Sequence, residues 1–167
     1  MVTFVFALFL AAAAADPTVR SVPSVDLDRY AGRWYEIARY PNRFQDQCAS
    51  HVTATYDRRE DGRIRAVNRC RKADGSLDAV EGTAKIVEGT GNAQLKVRFA
   101  PGWLGFLPFV WGDYWVIGLD EAYRWAVVGT PDRKYLWLLS RTPQMAEAER
   151  AAAEEAMRRN GFDVSRL

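Results

Sequence analysis

Cys48, His51 and Cys70 are the side chains of this sequence best suited to thiol, metal or imidazole chemistry, and His51 is its single histidine. A thiol nucleophile needs a base held beside it, and only His51 is on offer. A zinc centre wants a fuller set of nitrogen and sulfur ligands than these three residues supply. No Ser/His/Asp set can be built around His51 either. An even pair of cysteines in an exported chain reads first as a structural disulfide. A free, reactive thiol is the rival reading, and no metal or cofactor is expected.

The 167 residues suffice for one domain with a single core. The 23 basic and 21 acidic residues leave a net charge of +2. Binding of nucleic acid would need a basic stripe, and none is found. Six Trp and seven Tyr in so short a chain can fill a core or line an apolar pocket. Residues 1–15 stand apart: Val2 to Leu10 is apolar, Ala11 to Ala15 is small, and Asp16-Pro17 ends the run. Ala13-Ala14-Ala15 suits signal cleavage, although no Lys or Arg follows Met1. A signal peptide over 1–15 and a mature domain over 16–167 are therefore expected, with a poorly ordered terminal helix as the alternative.

From Gly32 onward the hydrophobic period is two rather than 3.6. Gly32–Ala38 forms the first expected strand, and Val52, Ala54 and Tyr56 mark the second. After the turn at Asp61-Gly62, Ile64, Ala66 and Asn68 alternate with Arg63, Arg65 and Arg69, whose charges must face water. If Tyr56 opposes Gly62, Cys48 falls opposite Cys70 on one face; other registers stay open. Val80–Ile86, Leu95–Phe99, Tyr114–Leu119, Trp125–Thr130 and Tyr135–Arg141 complete eight strands. The last three are apolar on both faces, so something must cover them. Thr142 as N-cap, Pro143 as the first residue and Asn160-Gly161 as the stop define a helix over about 143–160. Met145, Ala148, Ala152 and Ala156 would form its buried stripe. The fold class is all-β: an eight-stranded antiparallel up-and-down barrel over about 32–141, with one C-terminal helix packed outside. Small inward residues (Ala38, Ala54, Ala66, Gly82, Ala84) would leave room for a ligand; a filled core is the alternative.

Gly32-Arg33-Trp34 resembles the Gly-x-Trp signature of the lipocalins. Leu119-Asp120-Glu121-Ala122-Tyr123 is similar to a loosened form of their Thr-Asp-Tyr turn, and Leu139-Ser140-Arg141 to their third motif. Pro131-Asp132-Arg133-Lys134-Tyr135-Leu136-Trp137 looks closest to bacterial lipocalins and apolipoprotein D. Gly112-Asp113-Tyr114 precedes the sixth strand and is a decoy. The resemblance implies a calyx whose floor is clamped by Arg141 stacked on Trp34, with Gly32, Asp120 and Tyr123 as the other structural motif residues.

It also implies non-catalytic binding, transport or storage of a hydrophobic ligand, a fatty acid or lysophospholipid. Inside the calyx the expected ligand-binding residues are Glu36, Ala38, Val52, Ala54, Tyr56, Ala66, Val97, Tyr114, Val116 and Trp137. Glu36 facing outward is an open alternative. Arg39, Arg43 and Arg133, with Lys134, lie near the expected mouth, where a head group would sit. A lipocalin-fold enzyme acting on a lipid-like substrate is the competing class. The apolar loop 101–111 reads as a lid, a membrane-touching rim, a dimer contact, or a segment folded onto its own barrel. No cysteine precedes Cys48, so a soluble periplasmic or secreted protein is expected rather than an acylated one. An outer-membrane barrel is excluded by its charged strand faces.

Overall fold

The computed structural model describes residues 18–100 and 107–167. The expected signal segment 1–15 and the first part of the 101–111 loop therefore lie outside the described residues. A short helix α1 (Leu27–Tyr30), capped by the Asp26 carboxylate, leads into β1 (Gly32–Arg39). Then follow β2 (Ser50–Arg58), β3 (Ile64–Arg71), β4 (Leu77–Ile86) and β5 (Gln94–Arg98). The chain ends with β6 (Gly112–Leu119), β7 (Trp125–Gly129), β8 (Leu136–Ser140) and helix α2 (Glu147–Arg159). Each strand pairs with the next in antiparallel fashion, and β8 returns to β1, closing the barrel. Closure leaves no free sheet edge. The eight-stranded antiparallel barrel with an outer C-terminal helix agrees with the sequence.

Two expectations of register and boundary are corrected. Tyr56 pairs with Ala66 rather than Gly62, because the β2–β3 turn is longer than assumed and closes by Arg59 N–H to Arg63 O. Cys48 and Cys70 still form a disulfide. An irregularity between Ser50 and Thr53, where His51 has φ +54°, moves the register at the top of the hairpin. The helix starts at Glu147, not Pro143; the Thr142 hydroxyl instead donates to the carbonyl of Gln144. Its buried stripe is Ala153, Ala156 and Met157, while Ala148 and Ala152 are exposed. A run of alanines carries little information on rotation, and the bulky Met157 decides it.

The C-terminus of α2 is as expected. Gly161 takes φ +75°, Phe162 N–H reaches Met157 O, and Gly161 N–H reaches Arg158 O, the Schellman pattern. Phe162 and Met157 are buried in the same outer cluster, with Trp125, Val127, Leu136 and Leu138 of the doubly apolar strands. Two glycines let the helix and its tail lie close. A Cβ on Gly118 would stand 2.8 Å from Ala156 Cβ, and one on Gly129 would stand 2.7 Å from the Phe162 ring.

A Gly118→Ala substitution must therefore push α2 off the barrel wall, since the opposing Cβ has no torsion through which to yield. The expected loss is about 1–3 kcal/mol, read as a lower urea midpoint. An unchanged midpoint would mean that α2 is held elsewhere.

Candidate functional site

The barrel has two ends with different chemistry. At the floor, Arg141 at the end of β8 reaches back beneath β1. Its guanidinium carbon lies 3.8 Å from the Trp34 ring centroid, and Trp34 is fully buried. Arg141 also donates to the carbonyls of Arg33 (2.9 Å), Arg29 (2.6 Å) and Tyr123 (3.3 Å). One cation thus ties β1, α1 and the β6–β7 turn together. Gly32, at φ +91°, lies beside this clamp: a Cβ there would stand 3.6 Å from Arg141 Nη1. Asp120 holds its turn by accepting from Ala122 N–H and from the backbone and side chain of Arg124. Tyr123, at φ +60°, accepts from Asp26 N–H through its hydroxyl and stacks under Arg29. Segment 18–26 runs across the gap beyond β5: Val22 N–H reaches Val116 O and Val25 N–H reaches Gly91 O.

Above the clamp the interior is filled by aromatic rings. The hydroxyls of Tyr30, Tyr114 and Tyr56 form a buried chain, 2.8 Å and 3.0 Å long at its two links. Burial disfavours the phenolates. It raises Tyr30 and Tyr114 far above the ordinary phenol value and pushes Tyr56 up to about 12, with the Glu36 charge adding to the rise. Beside these rings, a cavity of only about 10 Å³ remains among Ile64, Ala84, Leu95 and Val97. That is room for one water at most. The floor half is closed and packed.

The mouth half differs. Glu36 points inward: its carboxylate is nearly buried, accepting from Arg39 Nη1 at 2.6 Å and from Gln45 Nε2 at 2.7 Å. Gln45 Oε1 in turn accepts from Trp137 Nε1 (3.0 Å) and Asn42 Nδ2 (2.9 Å). This network pins the β1–β2 loop over the opening, and the Cys48–Cys70 disulfide fastens the same loop to β3. A cleft of about 380 Å³ opens here, bounded by Arg39, Pro41, Asn42, Gln45, Asp46 and Cys48. Arg39 Nε and Asn42 Oδ1 are buried without a hydrogen-bond partner.

Of the residues expected to line the interior, Ala54, Tyr56, Ala66, Tyr114 and Val116 are buried there, with Val97 and Trp137 partly buried. Val52 is half-buried in the irregular stretch of β2. Ala38 does not line the interior. Pairing with β8 skips a residue between Glu36 and Ala38, and this bulge turns Ala38 onto the outer cluster under α2. Simple alternation could not foresee it. Arg43 is exposed on the rim. Arg133 is drawn away from the mouth, because its Nε donates to the Asn160 carbonyl at 2.8 Å, at the C-terminal end of α2. Lys134 pairs with Asp132.

Sequence reasoning passed over Tyr30, Asn42 and Gln45. Tyr30 belongs to a single helical turn and the other two to a loop, so no periodicity marks them. With both cysteines joined, neither offers a thiol, and His51 is exposed, beside Ser50 Oγ at 2.8 Å.

A closed barrel with a clamped, packed floor and a loop-bordered mouth is the architecture of a small-molecule-binding calyx. The chain belongs to the lipocalin family: the family model of a lipocalin-like domain matches residues 25–167. Lipocalins bind small hydrophobic ligands. The chain is 42% identical over 166 residues to the outer membrane lipoprotein Blc of Escherichia coli K12, covering 96% of this chain and 89% of that one. It is 41% identical over 148 residues to temperature-induced lipocalin-1 of Arabidopsis thaliana, covering 87% and 78%. Apolipoprotein D of Macaca fascicularis is 30% identical over 149 residues, covering 85% and 74%. Among solved structures, insecticyanin from the tobacco hornworm Manduca sexta superposes with a TM-score of 0.71 at 21% identity, over 90% of this chain and 82% of that one, a likeness of fold alone.

The tyrosine chain sets an alkaline limit on stability. Below the ordinary phenol value of 10.0 these groups are neutral whether the chain is folded or not. Above it the unfolded chain sheds protons that the folded one keeps, so stability falls as pH rises from 10.0 through the folded Tyr56 value of about 12. The expected slope is about 1.4 kcal/mol per pH unit for each buried tyrosine. Urea unfolding across that window, followed with phenolate absorbance, reads it. A flat stability there would show that the rings are open to solvent.

Proposed function

We propose that the chain carries or stores a hydrophobic small molecule, a fatty acid or lysophospholipid, without converting it chemically. The observation that carries this reading is the closed barrel of the lipocalin-like domain, with a cleft of about 380 Å³ among β1–β2 loop residues at its mouth. In this reading the apolar tail enters past Val52 and Trp137 toward Ala54, and Ala66 and Val97 belong to the packed base below it. Tyr56, Tyr114 and Val116 form the base on which it ends. Each buried methylene contributes ~0.8 kcal/mol, so a tail of about fifteen offsets association costs of several kcal/mol.

The head group would meet Arg39, with Arg43 on the rim. Arg39 is already paired with Glu36 at 2.6 Å. Its charge is answered before a ligand arrives, and its free Nε lies near the acceptor Asn42 Oδ1 on the same cleft wall. A wall offering both a donor and an acceptor suits a zwitterionic lysophospholipid better than a bare carboxylate. An enzymatic reading through a cavity cysteine would need a free thiol, and the disulfide takes up both cysteines. We place the protein in the cell envelope, periplasmic or secreted after removal of residues 1–15. Relatives named as outer membrane lipoproteins are in keeping with an envelope location.

Native mass spectrometry of the protein from its host, followed by organic extraction and lipid analysis, tests the proposal. The expected result is one lipid per chain, a lysophospholipid ahead of a free fatty acid, on a polypeptide lacking residues 1–15. Bare protein that also fails to take up a fluorescent fatty acid would leave the calyx as a fold without this function.

A further inference from the structure

Phe99 is the first residue beyond β5. It keeps the parity of Leu95 and Val97, which face the barrel interior, yet its ring is 40% exposed. On the neighbouring strand Gly82 pairs with Ala66, so a side chain on Gly82 would also enter the interior. The Phe99 ring takes that place. A Cβ on Gly82 would stand 2.6 Å from Phe99 Cδ1, 2.8 Å from its Cε1 and 2.6 Å from the Arg98 carbonyl oxygen. A bare glycine within a strand marks a close approach of this kind.

The ring stands at a step in the inner wall. Along the inward face of β4, Val80 is 42% exposed, Gly82 is buried and Ala84 is 1% exposed. On β3 their partners follow the same step: Asn68, opposite Val80, is half-buried, and Ala66, opposite Gly82, is 1% exposed. Ala66, Gly82 and Ala84 are too small to fill the space in front of them. Tyr56, paired with Ala66, covers it from the β2 side, and Phe99 covers it from the β5 side. Toward the floor lie Ile64, Ala84, Leu95 and Val97 around their remnant cavity of about 10 Å³. Toward the mouth the wall is open at Val80 and Asn68. Phe99 thus rests its Cδ1–Cε1 edge on Gly82 and caps the packed base.

We infer that Phe99 is the depth stop of the calyx: with its ring seated on Gly82, it sets the longest acyl tail the chain accepts. The inference rests on the carrier reading and adds to it a selection by length among linear acyl chains. Methylenes that cannot pass the ring stay in water and contribute nothing to binding. Without the ring, the space before Ala66, Gly82, Ala84 and Val97 becomes an apolar cavity, of the kind that stays dry and takes an apolar guest. A ring that only obstructed the entrance would weaken every tail alike. A stop acts only on tails long enough to reach it.

Titration calorimetry of the full chain with saturated fatty acids, from octanoate to stearate, tests the stop. For the native chain, affinity is expected to rise about four-fold per methylene and then to level off at a cut-off length. Phe99→Ala should move the cut-off toward stearate, with shorter tails bound as before. Each methylene beyond the native limit should again gain about four-fold. Phe99→Trp, which fills more of the same space, should move the cut-off toward octanoate. Opposite shifts from one position are beyond what a merely structural role produces. The same cut-off in all three chains overturns the inference and leaves the carrier reading standing. So does a native affinity that climbs unbroken to stearate, or a Phe99→Ala chain that binds every tail tighter by one factor. Should the alanine chain show no thermal unfolding transition, the tryptophan chain decides by itself. Refusal of every tail by all three chains overturns the carrier reading and the stop with it.

Discussion

A barrel that closes by pairing its last strand with its first must hold that seam against the twist of every strand between. Here the seam rests on Arg141. Its guanidinium lies 3.8 Å from the Trp34 centroid and donates to three backbone carbonyls from three separate segments. An exposed cation–π contact alone contributes only ~0.5–1 kcal/mol. The backbone hydrogen bonds add to it by tying three separate segments to one side chain. Gly32 and Tyr123, both at positive φ, shape the chain around the clamp. The signature residues of the family are therefore the residues of one joint.

From that joint the interior changes character along the barrel axis. Near the floor, Trp34, Tyr30, Tyr56 and Tyr114 fill the space, and their hydroxyls satisfy one another. Toward the mouth, the Glu36–Arg39 pair and the Trp137 indole, joined through Gln45, take their place. Glu36 would be costly to bury alone; with Arg39 and Gln45 on its two oxygens it becomes the anchor of the β1–β2 loop. The same loop is held a second time by the disulfide.

The outer wall follows another logic. Strands β6 to β8 are apolar on both faces, and α2 with the chain ends covers their outer side. Close approach is possible because Gly118 and Gly129 carry no Cβ where the helix and Phe162 come down. The bulge in β1 serves the same wall by turning Ala38 outward. Arg133 closes the arrangement by meeting the helix C-terminus rather than the mouth.

The strands, their order, the outer helix, the floor clamp and the cysteine pair were all legible in the residues, because each depends on local alternation or on a motif of fixed spacing. Gly161 and Phe162 ended α2 as their chemistry requires, while Thr142 and Pro143 did not start it. Tertiary structure alone decided what depends on register. A single skipped residue moved Ala38 to the other face, and a longer turn placed Tyr56 opposite Ala66. Period-two alternation is blind to bulges, since one extra residue inverts every side chain beyond it. The pairings Glu36–Gln45–Trp137 and Tyr30–Tyr114–Tyr56 join residues far apart in sequence. Only closure of the barrel brings them together.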